Sequence, residues 1–199
     1  MNFGIFITPR GKLYHNIIGW KNKIQTTLPD QHYCSHPPHC TILHSEMSNE
    51  SEIIESLKKL ISNLRKFKLY TYKTSVFWND FATNRSHTLV WTFQESTEIR
   101  EIQIKIANEL GPFIKARPIP THLNKSKVLL DSFTKFGYPF VGKHWTPHMT
   151  VASLSTKKDH YLITEFLSQK VSLDLEINSL ELWQIDKEKH SKIYEFSLN

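Results

Sequence analysis

The five residues "PHCTI" at 38–42 return as "PHMTV" at 147–151. Each copy reads proline, histidine, apolar residue, threonine, β-branched residue, and each stands at the head of a predicted strand. Side chains alternate along a strand, so His39 and Thr41 share one face while Cys40 and Ile42 share the other. The same alternation sets His148 and Thr150 against Met149 and Val151. If the two strands lie side by side across a pseudo-twofold axis, two imidazoles flank one groove with two hydroxyls beside them. Such a groove is a cradle for a phosphodiester, and it restricts the architectures open to the chain.

Elements on either side of the motifs follow the same order in both halves. "FGIFIT" is a short apolar run ended by Pro9, and Leu13, Ile17, Trp20 and Ile24 recur at helical spacing up to Pro29. "ESEIIESLKKLISNLRK" places Ile53, Ile54, Leu57, Leu60, Ile61 and Leu64 on one face, with Asn49 or Ser51 positioned to cap it. "KLYTYKTSVFW" and "HTLVWTF" are β-branched and aromatic, and the turn-rich "NDFATNRS" between them predicts an antiparallel pair. The periodicity of Ile99, Ile102, Ile106, Leu110 and Phe113 predicts a helix from 96 to roughly 115. After the loop "ARPIPTHLNKS" come a short helix "KVLLDSFTKF", the strand "HMTVASL" and the helical "KKDHYLITEFLSQ". The strands of "VSLDLEINSLELWQID" and "KIYEFSLN" then flank a polar loop, "KEKHSK". This order predicts an α+β fold of antiparallel strands decorated with helices, organised as one domain over 1–199.

Composition limits the partners. No apolar run has the length of a membrane span, and "MNFGIFITPRGK" has neither a basic n-region nor a small-residue cleavage site, so a cytoplasmic protein without membrane contact is expected. A net charge of +6, spread along the chain, favours anionic ligands. Cys34 and Cys40 are the only cysteines, too few for a disulfide framework, and both are expected to be reduced. Nothing in the sequence demands an obligate protein partner, and a monomer is expected.

The segment "HYCSHPPHCTILH", 32–44, holds four His and two Cys and suits either a metal or proton transfer. His32, Cys34, His36, His39, Cys40 and His44 are ligand types, yet the spacings that close a zinc site, such as C-x2-C with H-x3-H, are absent, so no metal and no cofactor is expected. Acid–base chemistry fits better. With an unperturbed pKa of about 6.5, one imidazole takes a proton while the other gives one. His39 and His148 are therefore the expected catalytic pair, and Thr41 and Thr150 the expected donors to phosphate oxygens. Trp145, beside Lys143 and His144, is a candidate for stacking on a base; Arg10, in the loop after the first strand, and Tyr33 are further substrate-binding candidates. Neither a Ser/His/Asp order nor a P-loop competes with this assignment.

Paired H-x-T-hydrophobic motifs about a hundred residues apart, "HCTI" at 39–42 and "HMTV" at 148–151, resemble those of the 2H phosphoesterase superfamily. That superfamily includes RNA 2',3'-cyclic phosphodiesterases and 2',5'-RNA ligases. The resemblance extends to the opening strand, the helix before the first motif, "HTLVWTFQESTEIREIQIKIANEL" and the final "LELWQID" and "YEFSL" strands. It implies a bilobal fold of two antiparallel sheets around a central groove, and a metal-independent phosphodiesterase acting on a nucleotide or short RNA. A module that binds RNA ends without turnover, and a 2',5'-RNA ligase, are the alternatives.

Overall fold

The computed structural model describes residues 1–170, 172–186 and 189–199. Along the chain come β1 (Asn2–Ile7), α1 (Gly11–Thr27), β2 (Cys40–Glu46), α2 (Glu50–Ile61), β3 (Phe67–Asp80) and β4 (Ser86–Phe93). They are followed by α3 (Thr97–Leu110), α4 (Lys127–Phe136), β5 (His148–Leu154), α5 (Tyr161–Leu167), β6 (Asp174–Ile177), β7 (Ser179–Asp186) and β8 (Lys189–Ser197).

The strands run in the order β6-β3-β4-β5-β2-β1-β7-β8, with every neighbouring pair antiparallel. Two four-stranded halves make up this sheet. One is β6-β3-β4-β5 and the other β2-β1-β7-β8, and they meet at the single paired position Cys40 with Met149. Beyond that point β2 and β5 part, and other backbone covers their edges. Met47 bridges Ile114 and the Lys115 N–H donates to the Glu46 carbonyl; on the other side the Ser153 N–H donates to the His32 carbonyl. Covering these edges satisfies donors and acceptors that would otherwise invite another strand.

The core follows from the periodicities. Leu13, Ile17 and Ile24 of α1, Ile53, Leu57 and Ile61 of α2, and Ile99, Ile102, Ile106 and Leu110 of α3 are all buried, together with Ile5, Ile42, Leu43, Met149, Val151 and Leu182 of the sheet. Each such side chain contributes about 1.5–3 kcal/mol by leaving water. α1 packs on β5, and α2 and α3 pack on one another.

Several boundaries differ from the sequence reading. α2 stops at Ile61, and its N-cap Asn49 has φ 61° without a side-chain cap bond. α3 ends at Leu110 and tightens into a 3-10 turn, Gly111–Phe113, because Pro112 has no amide hydrogen to continue the helix. β8 begins at Lys189, so polar residues expected in the loop lie in a strand: Asp186 pairs with Lys189, and Ile185 with His190. An edge strand needs only backbone pairing and tolerates charge. Lys187 and Glu188 of that expected loop lie outside the described residues. No helix of the described residues is long and apolar enough to cross a membrane.

Candidate active site

Both motifs sit where the two half-sheets meet, and each begins with the same local device. The His39 Nδ1 lies 2.7 Å from the Pro37 carbonyl oxygen, and the His148 Nδ1 lies 2.7 Å from that of Thr146. A carbonyl only accepts, so each Nδ1 carries the hydrogen and each Nε2 is left as the nitrogen that exchanges a proton. Proline at 38 and 147 holds the turn that lets a histidine reach back two residues, and the Pro147 carbonyl is itself held by the Phe93 N–H at 3.0 Å.

A second repeated device follows the threonines. The register between β1 and β2 shifts where Phe6 pairs with Thr41 and Ile5 with Leu43, leaving Ile42 as an extra residue. The register between β4 and β5 shifts where Val90 pairs with Thr150 and Leu89 with Ala152, leaving Val151 extra. Both bulges bury two consecutive side chains, Ile42 with Leu43 and Val151 with Ala152, while Thr41 and Thr150 stay half-buried on the other face. A bulge bends its strand and re-aims the side chains around it.

Each imidazole has its own aromatic support. The Phe6 ring stacks on His39 with centroids 4.0 Å apart and planes at 22°, and Phe77 meets His148 edge-on at 4.8 Å. Phe6 can lie there because residue 4 is glycine: a Cβ at Gly4 would stand 2.3 Å from the Phe6 ring. Lys21, buried in α1, ties the halves together by donating to the Tyr33 carbonyl at 2.5 Å and to the Val151 carbonyl at 2.7 Å. Burial holds its amine down at about 8.

The charges around the two histidines differ. Burial pushes His39 down to about 3, and the neighbouring His190, Lys21 and His36 push the same way, against the opposing hydrogen bond to Pro37. His148 is also lowered by burial, but its bond to Thr146 and the carboxylate of Asp80 oppose the shift. Asp80 is fixed by the Thr88 hydroxyl at 2.6 Å and the Ala82 N–H at 3.0 Å. Thr88 in turn reaches Ser153 at 2.8 Å, and Ser153 reaches Thr83 at 2.7 Å.

The structure thus brings His39, Thr41, His148 and Thr150 to one junction. Tyr33 lies on the His39 side, its ring 5.2 Å from that of His36, which is 4.3 Å from His190. Trp145 corrects the expectation of a stacking surface: it is 2% exposed, and its indole N–H donates to the Thr41 carbonyl at 3.0 Å. Its apolar body completes the core while its polar edge holds β2. Arg10 is exposed and pairs with Glu195 at 2.7 Å, an ion pair open to solvent. Cys40 is fully buried, and among the described residues no group of three His, Cys, Asp or Glu is arranged to hold a metal ion. Phe6, Phe77, Lys21, Asp80 and His190 were not legible as site residues. Lys21 alone left a trace, as a charge within the apolar stripe of α1.

Three solved structures share this fold across nearly their whole length. The match to TT0787 of Thermus thermophilus covers 100% of this chain and 98% of that one, at 12% identity and a TM-score of 0.62. For E. coli LigT complexed with 3'-AMP the coverage is 99% and 97%, at 12% identity and a TM-score of 0.57. Usb1 of Kluyveromyces marxianus matches over 99% and 98%, at 12% identity and a TM-score of 0.52. A comparison with curated proteins found no match. The sequence model of the 2'-5' RNA ligase superfamily matches residues 15–189, a span that contains both H-x-T motifs, and the chain therefore belongs to that superfamily, the 2H phosphoesterases.

Proposed function

We propose that this protein is a phosphodiesterase that acts on a nucleotide or RNA, opening a 2',3'-cyclic phosphate or cleaving a 2',5' linkage, with His39 and His148 as its base and acid. The observation that carries the reading is the matched pair of Nδ1 to carbonyl bonds at 2.7 Å, which leave two Nε2 atoms for proton transfer on a face shared with Thr41 and Thr150. LigT has been solved with 3'-AMP and with ATP, which supports a nucleotide-bearing ligand here.

The surrounding charges divide the labour. His39, whose surroundings disfavour its protonation, is the base: it takes a proton from water as the water oxygen bonds to phosphorus. His148, with Asp80 near it, is the acid: it hands its proton to the ribose oxygen as the phosphorus–oxygen bond breaks. The bound phosphodiester's negative charge raises the proton affinity of His148 and completes its protonation. Thr41 and Thr150 donate to the non-bridging oxygens. Every step is a proton transfer or a hydrogen bond made by the protein's own side chains, within a single bilobal unit.

Assaying 2',3'-cyclic, 2',5'-linked and 3',5'-linked substrates side by side tests the reading. Turnover of one of the first two, lost in both His39→Ala and His148→Ala, supports it. Tight nucleotide binding with no turnover of any substrate would overturn it in favour of a binding module.

A further inference from the structure

Phe81 stands on the turn between β3 and β4 with 56% of its surface exposed. Turn tips favour glycine, asparagine and aspartate, so an exposed phenyl ring there departs from ordinary turn chemistry. Its neighbours are an arginine and a histidine. The Arg85 guanidinium sits 4.9 Å over the ring centroid, and the His122 imidazole, from a 3-10 turn at Thr121–Lys125, lies 5.8 Å away with its plane only 6° off parallel.

The turn is rigid. The Asp80 carboxylate accepts from the Ala82 N–H, the Arg85 N–H donates to the Asp80 carbonyl at 2.8 Å, and Asn84 and Arg85 hold left-handed φ values of 52° and 65°. It follows directly on the stretch of β3 that serves His148: Phe77 packs against that histidine, and Asp80 is a carboxylate that acts on it. A flat exposed ring flanked by groups that pair with phosphate is what a single-stranded nucleic acid needs, because each base offers a face to stack and each linkage a charge to neutralise.

We propose that Phe81, Arg85 and His122 form a stacking subsite for a nucleotide neighbouring the reacting phosphodiester on the His148 side, so that the substrate is a single-stranded oligonucleotide and not a lone mononucleotide. This rests on the phosphodiesterase reading only for the position of the reacting group. Alanine substitution of such a ring typically weakens binding by about 10-fold or more.

The test reads binding, not turnover: fluorescence anisotropy of a labelled single-stranded oligoribonucleotide of about six nucleotides, within the span one such module tracks. Phe81→Ala should weaken binding by about 10-fold with an unchanged melting temperature, Phe81→Trp should retain it, and Arg85→Ala should flatten its salt dependence. Tyr70→Ala, removing an exposed ring elsewhere on β3, should change nothing. Wild-type affinity in Phe81→Ala overturns the subsite, and so does a folded Phe81→Trp that binds no better than Phe81→Ala. Equal affinity for a duplex of the same length also overturns it, since paired bases cannot reach the ring. If no phosphodiester is turned over yet binding depends on Phe81, the catalytic reading falls and the subsite stands.

Discussion

Cys40 faces Met149 at the one paired position between β2 and β5, both fully buried, and this pairing sets the two motifs against one another. Because the pairing is antiparallel, His39 is directed toward Thr150 and Thr41 toward His148. Each histidine thus lies opposite the threonine of the other motif.

If the two imidazoles work as one unit, His39→Ala and His148→Ala each lower turnover by about 10²-fold or more, and the double variant is scarcely worse than either. Steady-state kinetics with matched melting curves would check this. A near-normal rate in either single variant removes that residue from the mechanism.

Threonine hydroxyls that hold phosphate act on rate without altering protonation. Thr41→Val and Thr150→Val keep the shape and should each lower kcat/KM by roughly 10-fold to 10³-fold while both limbs of the pH profile stay in place. A displaced limb would instead mark a hydroxyl that tunes a histidine.

Gly4→Ala is a test of positioning from two residues away. Its Cβ would enter the Phe6 ring at 2.3 Å, and the ring must leave its stack on His39. We expect turnover to fall by roughly 10-fold or more from the misplaced imidazole, and stability by about 1–3 kcal/mol from overpacking. Proton titration of the His39 ring by NMR should move with the rate; an unmoved titration would mean that Phe6 serves packing alone.

The pH profile of kcat/KM should be a bell displaced to the acid side. A base held down at about 3 and an acid lowered below 6.5 place the alkaline limb, and hence the optimum, below the ordinary histidine value. An optimum above pH 7 would contradict the proposed division of roles.

Stability has its own pH signature, with the sign fixed by linkage. His39 is pushed down to about 3 and His44 to about 4, chiefly by burial, so between pH 6.5 and 4 the unfolded chain binds protons that the folded chain refuses. Stability contributed by these two groups is complete above 6.5 and is lost as pH falls through that window. Urea midpoints measured at pH 7 and pH 5 should show the drop, and His44→Gln should lessen it.

What the sequence by itself determined is local and periodic: the apolar stripes of α1, α2 and α3, the alternation that puts imidazole and hydroxyl on one face, and the repeat that made two strands one site. Strand alternation is a property of the backbone, so His39 and Thr41 share a face in any fold that extends them. Tertiary structure decided what depends on partners distant in the chain. The bulges at Ile42 and Val151 exist because β1 and β4 impose their own registers. Trp145 became a buried prop because the Thr41 carbonyl came within reach of its indole, and Lys21 became a tie because two carbonyls surround its amine. The unequal surroundings of His39 and His148 likewise arise from His190 on β8 and Asp80 on β3. Charge acts through space, and only the folded chain sets those distances.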